Sequence, residues 1–182
     1  MNRPFEIFRY CPKCGGGPAA PPVEPVFRCA ACGFVFFFNP AAAAGAFLHD
    51  AAGRLLFLRR AKEPARGKLA LAGGFIDYDE TAEAGLRREI REEIGLEVGS
   101  MDYLCSEVNR YRYLDIDYPV VDLFFTAAVP ADARPQKLDG VDDLCWVRPE
   151  ELLLEDLAFP SIRTAFRRLG SRGGSAPGCA GP

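Results

Sequence analysis

Three glutamates, Glu89, Glu92 and Glu93, fall close together at the end of a segment whose apolar residues Ala82, Leu86, Ile90 and Ile94 recur at helical spacing. At about 100° per residue the three carboxylates occupy an arc of roughly 100° beside that apolar stripe. A helix left alone gains nothing from this, because like charges three and four residues apart repel and carboxylates near a helix C-terminus oppose its dipole. A solvated acidic face would explain the charges, but it does not require Glu93 to sit within the arc of the stripe. A hard, oxygen-seeking cation such as Mg²⁺ or Mn²⁺ does.

A second constellation lies near the N-terminus, where Cys11-x2-Cys14 and Cys29-x2-Cys32 are each followed by a glycine, Gly15 and Gly33. Each pair can form a tight turn that presents two thiolates, and two such turns supply the four sulfurs of tetrahedral Zn²⁺. Residues 1–40 are too few to bury a core unaided, so the spacing predicts a zinc ribbon with a structural metal. The aromatic run Phe34 to Phe38 reads as the strand that closes it. Seven cysteines, an odd number, suit a reduced compartment better than a disulfide framework.

The stretch Gly73 to Leu96 resembles the Nudix box, Gly-x5-Glu-x7-Arg-Glu-U-x-Glu-Glu-x-Gly-U with U aliphatic. It matches at Gly74, Glu80, Arg88, Glu89, Ile90, Glu92, Glu93, Gly95 and Leu96. The resemblance implies an α/β fold, the α/β/α sandwich with a mixed sheet, following the zinc ribbon. It also implies divalent-metal-dependent hydrolysis of a nucleoside diphosphate linked to another group, with Glu89, Glu92, Glu93 and the Gly73 carbonyl on Mg²⁺ or Mn²⁺. By the same resemblance Glu80 and Arg88 pair to hold the loop against the helix, and Arg60 stands where Nudix proteins often contact phosphate. Ribbon-bearing Nudix proteins include NADH pyrophosphatases, whose Ser-Gln-Pro-Trp-Pro-Phe-Pro stretch finds only Ser106 as a counterpart here. ADP-ribose, NAD(H) and nucleotide sugars remain as the substrate class.

The elements that must position these groups can be placed in order. Ala43 to Leu48 and Leu55 to Arg59 read as a hairpin around the turn Asp50 to Gly53, with His49, the only histidine, at the surface. Arg59 and Arg60 close the second of these strands, Lys62, Arg66 and Lys68 dot the loop before the box, and Arg60 and Lys68 are the candidate phosphate contacts. Thr81 caps the box helix and Gly95 ends it, while Gly85 inside it costs ~1 kcal/mol relative to Ala. Tyr103 to Val108 and Val120 to Val129 read as strands, and Tyr111 between them is a candidate wall for a base. Among Asp139, Asp142 and Asp143 one could join the metal carboxylates, although a turn explains them too. Pro149 and Pro160 start short helices, the second through Leu169. The Nudix domain then spans 41–169, and 170–182 is a disordered tail that carries a free Cys179.

Composition narrows the partners. A net charge of -3, with only four Lys/Arg against two Glu in residues 1–40, argues against a nucleic-acid or membrane-surface binder. No apolar run reaches the ~20 residues of a membrane span, and no signal-peptide layout opens the chain, which predicts a cytoplasmic protein. The expected partner is a small nucleotide, and a homodimer stays open through the ribbon's apolar strand. A rival reading, a nucleotide sensor or docking protein on the same scaffold, would suit an eroded box better than this intact one.

Overall fold

A computed structural model describes residues 3–21 and 23–172. The chain divides into two compact units, residues 1–41 with 110–120, and residues 42–109 with 121–182.

The first unit is small and built around sulfur and phenylalanine. A helical turn, α1 (Pro4–Ile7), precedes a two-stranded antiparallel ribbon of β1 (Val26–Arg28) and β2 (Val35–Phe37), with Phe27 opposite Phe36. Within residues 1–41 the described buried apolar cluster is Cys11, Phe27 and Cys29, with Phe8, Phe34 and Phe38 packed against them. The Phe8 ring meets Phe27 and Phe38 edge-on at 5.0 and 5.2 Å. The expected strand in the aromatic run is therefore present, but its residues divide: Phe38 turns inward while Phe37 is 59% exposed.

The second unit is organised by a seven-stranded mixed sheet, two of whose strands run on into residues 110–120, which belong to the first unit. Its strands are β3 (Ala41–His49), β4 (Leu55–Arg60), β5 (Leu69–Ala70), β6 (Ala72–Phe75), β7 (Asp102–Tyr113), β8 (Ile116–Ala128) and β9 (Val141–Val147). The order β5-β4-β3-β8-β7 forms the sheet, with β6 added to β3 and β9 to β4. Helix α2 (Ala82–Ile94) follows β6, and α3 (Pro160–Arg172) closes the described chain.

Side chains leave a strand alternately to its two faces, and here both faces are covered. On one, Ala44, Ala46, Leu48, Leu56, Leu58, Phe125 and Ala127 pack with Leu86, Ile90 and Ile94 of α2. On the other, Phe47, Leu55, Phe57, Leu71 and Phe124 pack with Ile162 and Ala165 of α3. The result is the α/β/α sandwich expected from the sequence. Burial on both faces is why β3 and β4 read as nearly unbroken apolar runs. His49 is exposed at the end of β3, and Cys105 is buried in β7.

Two boundaries differ from the sequence reading. β7 and β8 run past Val108 and begin before Val120, joined through Leu114 and Asp115, both in the left-handed region at φ 46° and 62°. Such a two-residue turn is normally announced by Asn-Gly or Asp-Gly, and its absence hid the hairpin. Helix α3 continues beyond Leu169 through Gly170 to Arg172, so the start of the expected tail is helical. Residues 173–182, with Cys179, lie outside the described residues. Among the described residues no helix is long and apolar enough to cross a membrane.

Candidate active site

Helix α2 is fixed at both ends. Thr81 Oγ1 accepts the Ala84 N–H at 3.2 Å, and Gly95, at φ 66°, returns its N–H to the Arg91 carbonyl. The last turn of a helix leaves carbonyls without intrahelical donors. Here three of them are satisfied from outside: Gln136 N–H donates to Ile94 O at 2.9 Å, Leu138 to Glu93 O at 3.0 Å and Asp139 to Glu92 O at 3.4 Å. The segment before β9 is thereby tied to the acidic end of α2, which puts the Asp139 charge where it acts on Glu93.

Arg88 is the hub of the site. Its guanidinium grips Glu80 with two bonds, at 2.9 and 3.0 Å, and donates to Glu89 Oε1 at 2.9 Å, Glu92 Oε2 at 3.2 Å and the Phe75 carbonyl at 3.1 Å. Glu80 also accepts the Asp77 N–H, so this one carboxylate spans the loop and the helix. The arginine holds Glu80 below the usual carboxylate range. The expected pairing of Glu80 with Arg88 is what the structure contains. Gly85 carries less of a penalty than its helix propensity suggests, since a Cβ there would stand 2.9 Å from Glu80 Oε2.

Paired glycines bring the β6 backbone under the carboxylates. At Gly73 φ is 142° and a Cβ would lie 2.1 Å from the Ala44 carbonyl, so only glycine fits the strand pairing. A Cβ at Gly74 would instead meet the Glu89 carboxyl group at 2.6 Å. The atoms it meets are the movable end of a side chain, so in Gly74→Ala the carboxylate should give way and the fold should not. Displacement of a reacting group by about 1 Å can cost on the order of a hundredfold in rate. Gly74→Ala is expected to fold normally and lose at least tenfold in kcat (~1.4 kcal/mol); wild-type kcat at saturating Mg²⁺ would show that Glu89 tolerates the shift.

Glu93 points back at the same strand, accepting the Gly73 N–H at 2.9 Å. Burial pushes its carboxyl group up to about 8, against the Gly73 hydrogen bond that favours the anion; the Glu89 and Asp139 charges raise it further and Arg60 lowers it. Burial also raises Glu89, with Arg88 opposing. Two partly desolvated carboxylates on one helix end supply anionic oxygens of the kind a divalent cation takes, and such a cation would reverse both shifts. The oxygens do not converge to within 4.8 Å in groups of three. Arg88 draws Glu89 and Glu92 aside while the Gly73 N–H holds Glu93.

The cysteines do converge. The four sulfurs of Cys11, Cys14, Cys29 and Cys32 lie within 4.8 Å of one another, with Cys11 to Cys32 at 3.7 Å and Cys14 to Cys29 at 3.5 Å. A tetrahedron with Zn–S bonds of ~2.3 Å has edges of about 3.8 Å, so the cage fits zinc. Both knuckles close alike: the Gly15 N–H bonds the Cys11 carbonyl, the Gly33 N–H bonds the Cys29 carbonyl, and the two glycines are left-handed at φ 75° and 69°. The Cys32 backbone N–H pulls the Cys29 thiol down to about 7.

The NUDIX domain family model matches residues 39–169. The chain belongs to the Nudix family. It is 29% identical to the NAD-capped RNA hydrolase NudC of Pseudomonas aeruginosa over 161 residues, covering 88% of this chain and 54% of that protein. NudC of Mycobacterium tuberculosis is 43% identical over 60 residues, 33% of this chain and 19% of the relative. The chain spans about half the length of the first of these curated relatives. Among solved structures, a NUDIX hydrolase from Nitrosomonas europaea superposes with a TM-score of 0.73 at 25% identity, covering 93% of this chain and 94% of the other. The NUDIX domain of Shewanella oneidensis NrtR, complexed with ADP ribose, gives 0.62 at 25% identity over 75% and 90%.

The Nudix box residues Glu80, Arg88, Glu89, Glu92, Glu93 and Gly73 thus share one neighbourhood, and Arg60 joins them through its charge on Glu93. Lys68 is occupied elsewhere, its Nζ donating to the Glu155 carbonyl at 3.0 Å. Tyr111 falls in the unit of residues 1–41 and 110–120. Of the three aspartates, Asp139 alone is tied to the box helix; its carboxylate pairs with Lys62 at 3.2 Å, and Asp143 lies 3.9 Å from Lys137. Sequence reasoning missed Phe159, over whose ring the Arg60 guanidinium lies at 5.1 Å. No short-range signal could have found it, because the two residues stand almost a hundred positions apart.

Proposed function

We propose that this Nudix protein is a divalent-metal-dependent pyrophosphohydrolase acting on a nucleoside diphosphate linked to another moiety, with ADP-ribose as the first substrate to test. The observation that carries the reading is the group of box carboxylates, Glu89 and Glu92 on Arg88 and Glu93 on the Gly73 N–H, with Glu89 and Glu93 raised by burial and the charge of Arg60 acting on Glu93. Such a group has negative charge to hold Mg²⁺ or Mn²⁺ and a guanidinium to meet phosphate. The names of the relatives support the substrate class, since one is a hydrolase of NAD-capped RNA and one neighbour holds ADP ribose.

In the reaction a water oxygen bonds to one phosphorus while the bridging P–O bond breaks, releasing a nucleoside monophosphate and a second phosphate ester. Mg²⁺ or Mn²⁺, when bound, neutralises the pyrophosphate charge and polarises its oxygens. Glu89, Glu92, Glu93 and the Gly73 carbonyl would hold it. Arg88 keeps the carboxylates oriented between turnovers, and Arg60 grips a phosphate oxygen. Zinc on Cys11, Cys14, Cys29 and Cys32 would be a structural metal that folds the ribbon, residues 1–40, while the chemistry belongs to residues 41–169.

Purified protein assayed with ADP-ribose, NADH, nucleotide sugars and nucleoside triphosphates, with and without Mg²⁺, tests this. A linked diphosphate should be favoured over every triphosphate by about tenfold or more in kcat/KM, ~1.4 kcal/mol of transition-state discrimination. A tenfold preference the other way overturns the substrate class. Tight ADP-ribose binding without turnover would identify a sensor instead.

A further inference from the structure

The arginines divide by partner: Arg59, Arg87 and Arg163 donate to backbone carbonyls, and Arg60 is of this kind. Arg54, Arg88, Arg91, Arg112 and Arg168 each pair with a carboxylate. Among the described residues Arg60 forms no salt bridge, although it is half-buried. Its backbone is fixed on both sides, the N–H bonding the Lys68 carbonyl at 3.0 Å and the carbonyl accepting the Gly67 N–H at 2.8 Å. Its Nε donates to the Pro64 carbonyl at 2.7 Å, and its planar group lies over the Phe159 ring. One nitrogen and one face of the guanidinium are thus engaged.

We propose that Phe159 is a positioning residue for substrate binding: its ring holds the Arg60 guanidinium so that the two terminal amino groups remain free to take one phosphate of a nucleoside diphosphate in a forked contact. The inference rests on the reading that Arg60 meets the diphosphate. A half-buried cation that forms no ion pair, with Glu93 acting on it only through its charge, is incompletely compensated. A ring face offsets some of that cost without using the N–H donors, whereas a carboxylate would consume them.

The ring stands on a rigid support. Leu157 forms a parallel bridge to Leu69 of β5, the Ala158 N–H bonds the Leu69 carbonyl at 2.8 Å, and the Phe159 carbonyl accepts the Arg163 N–H at 3.3 Å in the first turn of α3. The Leu157 carbonyl also accepts from Arg163 Nη2 at 2.8 Å. Phe159 is therefore held between the start of α3 and the sheet edge next to Arg60, where Leu69 of β5 pairs with Arg59 of β4.

The test uses full-length protein, ADP-ribose and saturating Mg²⁺. Phe159→Leu keeps the apolar bulk and loses the aromatic face, and should raise KM roughly five- to tenfold with kcat within about twofold, as a cation–π contact of this kind predicts. Phe159→Tyr should restore KM. In an Arg60→Gln background Phe159→Leu should add no further rise. Equal rises in both backgrounds, or an unchanged KM in Phe159→Leu, overturn the positioning role. An unchanged KM in Arg60→Gln alone would instead remove the phosphate contact on which it rests. The calorimetric Kd of ADP-ribose without Mg²⁺ reads the same coupling if turnover is absent, so the hydrolytic reading can fail separately.

Discussion

Glu93→Gln should lose about a hundredfold to a thousandfold in kcat at saturating Mg²⁺ while folding normally, a loss of ~3–4 kcal/mol in transition-state stabilisation. The amide keeps an oxygen for the Gly73 N–H, which donates to Glu93 at 2.9 Å, so the local geometry has no reason to change. What disappears is an anionic ligand in a group already short of solvent. Stability supplies a second readout. Without added Mg²⁺ the folded protein holds the Glu93 proton up to about pH 8, whereas an unfolded chain releases it at the ordinary carboxylate value. The folded state therefore binds more protons between these values, and stability falls as pH rises from the carboxylate range through about 8. Glu89, also raised, contributes in the same direction. Urea melts at pH 5 and pH 8 should show this loss in wild type and a weaker one in Glu93→Gln, and added Mg²⁺ should shrink it in wild type. Turnover above a tenth of wild type in the mutant, or a steeper loss with pH, would remove Glu93 from the metal site. Glu92→Gln should also lose most activity. Its stability change should be smaller, because Glu92 is 54% exposed and already shares Arg88.

Cys29→Ser should abolish stoichiometric zinc and unfold residues 1–41. Of the three buried apolar residues described within 1–41, Cys11 and Cys29 are themselves candidate zinc ligands and only Phe27 is not. Three residues and a few phenylalanine edges do not offset the backbone entropy of ordering some forty positions, at ~1–2 kcal/mol each. Metal binding, worth ~10–16 kcal/mol in zinc-finger peptides, supplies what is missing. Metal analysis should fall from one zinc per chain to well below one, and limited proteolysis should cut within residues 1–41 while the box unit resists. Full zinc content and an unchanged cleavage pattern would leave the four thiols without a structural metal.

The box and the cysteine pairs were legible because each is local. Glu89, Glu92 and Glu93 share a helical face by spacing alone, and Thr81 and Gly95 mark where that helix must start and stop. A CxxC followed by glycine dictates its own turn, whatever lies around it. The hairpin of β3 and β4 was legible too, from two apolar runs around the Asp50-to-Gly53 turn.

Tertiary structure decided what depends on residues distant in sequence. Gln136, Leu138 and Asp139 complete the C-terminal end of α2, a pairing in which backbone rather than side chains carries the contact, so residue types give no clue. The long hairpin of β7 and β8 turns through Leu114-Asp115, residues whose intrinsic preference opposes left-handed backbone, and neighbouring strands override it. Lys68 and Arg60 look alike as cations ahead of the box, yet one is engaged by the Glu155 carbonyl while the other lies over the Phe159 ring with its charge acting on Glu93. Charge type is written in the sequence. Which charge stays free for a ligand depends on what the fold places against it.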